Sequence, residues 1–137
     1  MARPSGPKTR NGGRWTEAQF NSFIKNQLRA STRKWGPIAD MMKDARVSRG
    51  VYLCNGCKEE VPASTKDEVT GKRVKNVLVD HINPIIDPYT GFTTWDECID
   101  RMFCESDNLQ VLCHRCHTEK TNEERAIAKE RRQKEKE

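Results

Sequence analysis

Cys54-Asn55-Gly56-Cys57 and Asn108-Leu109-Gln110-Val111-Leu112-Cys113-His114-Arg115-Cys116-His117-Thr118-Glu119-Lys120-Thr121 are the two stretches that decide how this chain folds. Each holds a Cys-x-x-Cys pair, and such a turn offers two sulfurs to one edge of a tetrahedron. One pair arises by chance. Two predict a single structural zinc held by Cys54, Cys57, Cys113 and Cys116. Closing that site would fold the intervening segment back on itself and bring Asp80, His81 and His117 near one another.

Outward from the knuckles the pattern is α+β. Val51-Tyr52-Leu53 reads as a short strand entering the first knuckle, where Asn55-Gly56 suits a tight turn because both tolerate positive φ. Residues 58–73 are polar, with Thr70-Gly71-Lys72 a hairpin tip, and residues 74–79 have strand character and deliver Asp80-His81. Pro84 and Pro88 make a loop, Trp95, Ile99, Met102 and Phe103 predict a helix over 94–104, and residues 109–112 form a strand into the second knuckle. From His117 the pattern is helical and highly charged. Beyond Thr121 it is either a solvated helix with pairs such as Glu130 to Lys134, or frayed.

Upstream, Thr16 can cap a helix running to about Ala30, with Phe20, Phe23, Ile24 and Leu28 on one face as core. Gly36-Pro37 breaks the chain, and Ile38, Met41, Met42 and Ala45 mark a second short helix. Residues 1–14 are rich in Pro, Gly and basic side chains, and no packed element is expected there. The organisation expected is a flexible basic arm (1–14), a basic helical extension (15–50), a zinc-stabilised core (51–121) and a charged tail (122–137).

At 137 residues, 34% hydrophobic and 33% charged, the chain suits one domain with a small core, which zinc can staple. Disulfides are the competing use of six cysteines. No apolar leader of about 7–15 residues opens the chain and no run of about 18 apolar residues occurs, so a reducing, cytoplasmic setting is expected and zinc preferred. Residues 1–50 carry eleven Lys/Arg against three acids, a net of +8, although the whole chain is only +5. So concentrated a positive half makes nucleic acid the default partner, with Arg10, Arg14, Lys25, Arg29, Arg33 and Lys34 as contacts. A solvated arm that only aids solubility is the bland alternative.

The runs Val79-Asp80-His81-Ile82-Asn83-Pro84 and 108–121, flanked by the two knuckles, resemble the HNH endonucleases of the ββα-metal superfamily over residues 51–121. The basic helical preface and the 95–103 insert resemble small bacteriophage-encoded members. The resemblance implies a zinc-stabilised ββα-metal core with an N-terminal helical extension, DNA as substrate, and 5′-phosphate and 3′-hydroxyl products. It also implies that the Asn108 amide ties down the loop holding His81, and that Lys120 holds a phosphate. Where some members carry a second histidine one turn after His117 this chain has Thr121, which favours catalytic Mg²⁺ or Mn²⁺ over a transition metal. Phage packaging proteins such as a terminase are partners the resemblance allows.

The residue types suit that chemistry independently. Phosphodiester hydrolysis needs an activated water and a cation on the phosphate oxygens. His81 suits the general base because imidazole titrates near neutrality, while Asp80, pointing the other way on a strand, and His117, opening the helix, offer ligands to a divalent ion. The bland rivals are a hydrogen-bonded loop role for His81, a knuckle-capping or zinc-ligand role for His117, a turn role for Asn108 and simple solvation for Lys120. His114 reads as a surface histidine, and Cys98 and Cys104 as buried thiols. The functional rival is a non-catalytic zinc-ribbon module that binds nucleic acid or protein.

Overall fold

The computed structural model describes residues 6–136, an α+β chain with four α-helices and small antiparallel sheets among them. It divides into two compact units, one ending at Lys34 and the other beginning at Trp35.

In the first unit β1 (Lys8–Arg10) pairs antiparallel with β2 (Trp15–Thr16). This corrects the expectation of an unpacked arm from Lys8 onward; residues 1–5, with Arg3, lie outside the described residues. The connection turns through positive φ at Asn11 (53°), Gly12 (63°) and Gly13 (79°), which these residue types accept at little cost. Arg10 fastens the hairpin to α1 (Glu17–Ser31) by two bonds to the Glu17 carboxylate, 2.8 and 3.1 Å, and lies 4.3 Å over the Phe20 ring. Thr16 caps α1 reciprocally: its hydroxyl accepts from the Gln19 amide and its own amide donates to Gln19 Oε1. A 3₁₀ turn, Thr32–Lys34, ends the unit.

The second unit begins with α2 (Gly36–Ala45), where Gly36-Pro37 starts the helix instead of separating two segments, since proline in a first turn gives up only an unused donor. Trp35 is anchored by its indole N–H to the Cys104 carbonyl (2.6 Å) and by an edge-on contact with Phe103. Residues 35–50 therefore belong to the core unit, which corrects the expected boundary at 50. The strands β3 (Arg46–Ser48), β4 (Val51–Leu53) and β5 (Glu60–Pro62) form one antiparallel sheet, and β6 (Ser64–Lys66) pairs with β7 (Arg73–Lys75) around a tip with Gly71 at φ 72°.

The strand expected over 74–79 is two strands in two sheets, because Asn76 interrupts it. Its side-chain amide donates to the Pro62 carbonyl, its backbone N–H to Ala63, and its carbonyl accepts from the His114 amide at 2.7 Å. The next strand, β8 (Val77–His81), pairs antiparallel with β9 (Leu109–Cys113), placing Asp80 opposite Gln110 and His81 opposite Leu109. Between them lies α3 (Trp95–Met102), capped by Thr94. From β9 the chain enters α4 (His114–Glu135) directly, three residues before the expected start, and α4 stays helical through the tail. Val77, Cys98, Met102, Leu109 and Val111 are buried, and Cys54, Leu112 and Cys113 form a buried cluster of their own.

Candidate functional site

The four knuckle cysteines converge because β4 delivers Cys54, β9 ends on Cys113, and the first turn of α4 carries Cys116. Their sulfurs all lie within 4.8 Å of one another, and among the described residues no other group of three or more His, Cys, Asp or Glu side chains meets that condition. A zinc ion with sulfurs at about 2.3 Å needs tetrahedral edges of about 3.8 Å, so this set fits structural Zn²⁺. Asn55 clamps the first knuckle to β9: its amide donates to the Val111 carbonyl and its side-chain oxygen accepts from the Val111 amide, both at 2.7 Å. Positive φ falls at Lys58 (64°), not at Asn55 or Gly56. Gly56 is required for closeness instead, since a Cβ there would sit 3.0 Å from both Cβ and Sγ of Cys116.

Two of the four thiols, Cys54 and Cys116, are shifted in opposite directions. Burial pushes the Cys54 thiol up, but the amides of Cys113, Cys57 and Gly56 outweigh it and bring Cys54 down to about 6. Burial and then the neighbouring sulfurs push Cys116 up to about 12.

Beside it, the register of β8 against β9 and α4 assembles a second cluster around Asp80, whose side chain is only 11% exposed. Its Oδ2 accepts from Gln110 Nε2 at 3.0 Å and is ion-paired with Lys120 Nζ at 3.1 Å. Its Oδ1 faces His117 Nε2 at 3.7 Å. At that separation the two groups face each other without a hydrogen bond between them.

Alternation along β8 turns His81 away from that cluster. Its Nε2 lies 2.8 Å from the Met102 carbonyl, at the end of α3. A carbonyl only accepts, so Nε2 carries the proton and Nδ1 of the neutral ring keeps its lone pair. Asn108 fastens the loop after His81 through its carbonyl, which accepts from the Ile82 amide at 2.8 Å, and its carboxamide, which bonds the Asn83 amide (2.9 Å) and carbonyl (3.3 Å). Lys120 does not extend into solvent. Its ammonium donates to the Glu124 carboxylate and to the His81 carbonyl (2.9 Å), and it is ion-paired with Asp80. Burial lowers its affinity for the proton, but Glu124 and Asp80 more than compensate and its pKa is raised. His114 is exposed, Cys98 buried, and Cys104 half-buried.

The structure thus joins Asp80, His117 and Lys120 in one cluster and gives the His81 ring different neighbours. Gln110 and Glu124 escaped sequence reasoning, although Glu124 lies one helical turn beyond Lys120 and two beyond His117. A groove of about 500 Å³ runs beside this cluster, lined among others by Asn83, Tyr89, Arg101 and Lys120.

The basic candidates of the first unit are unequal. Arg10 is engaged by Glu17, Arg14 and Arg33 bond carbonyls of Asn11 and Ala30, and Lys25 is half-buried, whereas Arg29 and Lys34 are exposed. No described helix is long and apolar enough to cross a membrane. No known family, curated protein or solved structure matches the chain.

Proposed function

We propose that this chain is a metal-dependent DNA endonuclease of the HNH type, in which β8, β9 and α4 form the ββα-metal unit. The observation that carries the reading is Asp80 Oδ1 facing His117 Nε2 at 3.7 Å, from a strand and from the helix that opens at the second knuckle. Asp80 and His117 would hold one Mg²⁺ or Mn²⁺, which when bound supplies positive charge to the scissile phosphate and the departing 3′ oxygen. His81, with Nε2 held by Met102, has Nδ1 available to take a proton from the attacking water. Asn108 keeps the His81–Asn83 turn in place, so the base is oriented before substrate arrives. Arg29 and Lys34 in the first unit supply phosphate contacts independent of sequence.

One observation favours a second reading: Asp80 is already neutralised by Lys120, as a purely structural ion network would require. On that reading the chain is a zinc-ribbon module that binds nucleic acid or protein without cutting it. Incubation with supercoiled plasmid and Mg²⁺ or Mn²⁺ separates the two. Metal-dependent nicking or linearisation is expected, and His81→Ala should reduce it at least about a hundredfold with zinc content unchanged. Asp80→Ala and His117→Ala should raise the divalent ion requirement or abolish cutting. No cleavage with either metal, or His81→Ala within a few-fold of wild type, refutes the assignment.

A further inference from the structure

Lys120 is held as few surface lysines are. Its ammonium lies among three oxygens: it donates to the His81 carbonyl at 2.9 Å and to Glu124 Oε1, and it is ion-paired with Asp80 Oδ2 at 3.1 Å. Two carboxylates and a carbonyl are the donor set of a hard cation. Lys134, on the same helix, shows the ordinary alternative: it pairs with Glu130 at 3.4 Å and is 73% exposed, against 23% for Lys120. The Asp80 carboxylate is nearly buried, and Lys120 gives it a cationic partner from within the chain.

We infer that Lys120 is a tethered counter-cation that competes with the divalent ion for Asp80 and so holds metal affinity down until the ammonium is drawn away. The inference rests on the proposed role of Asp80 and His117 as ligands. A divalent ion at Oδ1 and an ammonium at Oδ2 would flank one carboxylate a few ångströms apart, and two cations that close repel strongly. Glu124 gives the ammonium somewhere to remain. It lies one turn further along α4 and already bonds Lys120, so rotation of the lysine stem can release Asp80 without stranding a buried charge. The opposite role is also definite: a lysine that only positions Asp80 would strengthen metal binding.

The test is Mn²⁺ titration of the full-length, zinc-loaded protein without DNA, by calorimetry and by the electron paramagnetic resonance signal of free Mn²⁺. Lys120→Met should lower the Mn²⁺ dissociation constant by about tenfold or more, because a like charge is removed from beside the ion. Lys120→Gln, which keeps a donor for Asp80, should do the same, and stands in if the methionine variant fails to fold, as judged by circular dichroism and zinc content. Unchanged or weaker Mn²⁺ binding in the folded variants overturns the competition. Asp80→Asn separates the two levels of the argument. If it abolishes Mn²⁺ binding while the Lys120 variants change nothing, the counter-cation role alone is wrong. If it leaves Mn²⁺ binding intact, Asp80 is not a ligand and the reading of the site fails with it.

Discussion

Replacing Cys113 by serine removes one sulfur from a cluster that also forms part of the core. Cys113 is the last residue of β9, caps α4, and donates its amide to Cys54 Sγ at 3.3 Å. Among the described residues eight hydrophobic side chains are buried, and three of these are cysteines. The other five, at about 1.5–3 kcal/mol each for full burial, amount to roughly 8–15 kcal/mol. A structural zinc contributes about 10–16 kcal/mol in small peptide systems, so it rivals the apolar core. Losing even 4 kcal/mol moves the melting temperature of a domain this size by about 16–32 °C. Cys113→Ser should therefore leave the second unit unfolded or aggregated at physiological temperature. Wild-type protein should contain about one zinc per chain by elemental mass spectrometry, and a strong chelator should abolish the cooperative melt followed by circular dichroism. Folded, zinc-free wild type, or rapid reaction of all four thiols with a thiol reagent under native conditions, would refute the reasoning.

Two further outcomes follow from positions away from the cysteines. Gly91→Ala should cost about 1–2 kcal/mol, because φ there is 76° and the new Cβ would meet the Arg131 guanidinium at 2.8–3.1 Å. Hydrogen exchange should quicken in the last turns of α4 as the Arg131 bond to the Pro88 carbonyl loosens, whereas Gly36→Ala, with ordinary φ and open space, should be neutral or better. Equal melting temperatures for the two variants would contradict this. For DNA binding, removing Arg29 and Lys34 together should flatten the log–log salt dependence by about 0.9 for each lost phosphate contact, while Arg10→Gln, already engaged by Glu17, should change it little. A slope that responds to Arg10 alone would reverse the ranking.

How much was legible in the sequence depended on the range of the interactions. Local signals were decisive: the knuckle spacing, the Thr16 cap of α1, and the apolar spacing of α3 all act within a few residues. Residues 74–79 misled because the break at Asn76 comes from bonds to Pro62, Ala63 and His114, far away in sequence. The helical start at His114 was hidden because the second knuckle is itself the first turn of α4. The early hairpin was missed because glycine and arginine content reads as disorder, while a left-handed turn and one ion pair order it. At the site, residue types pointed to Asp80, His81, Asn108 and His117, but not to the divided carboxylate of Asp80. That division depends on register, which sets Gln110 opposite, and on the helical face that aims Lys120 inward.

Cys116 and His117 are consecutive residues in the opening turn of one helix, so the turn that closes the sulfur cluster also sets where the imidazole stands. With zinc in place that turn is fixed through Cys113 and Cys116. Extraction of zinc by an oxidant or an electrophile would release it and carry His117 out of line with Asp80. If the chain cuts DNA as proposed, cutting should then stop although no cysteine takes part in it, and reduction with fresh zinc should restore it. On that reading the sulfur cluster would act as a thiol-sensitive switch, one peptide bond from the proposed ligand His117.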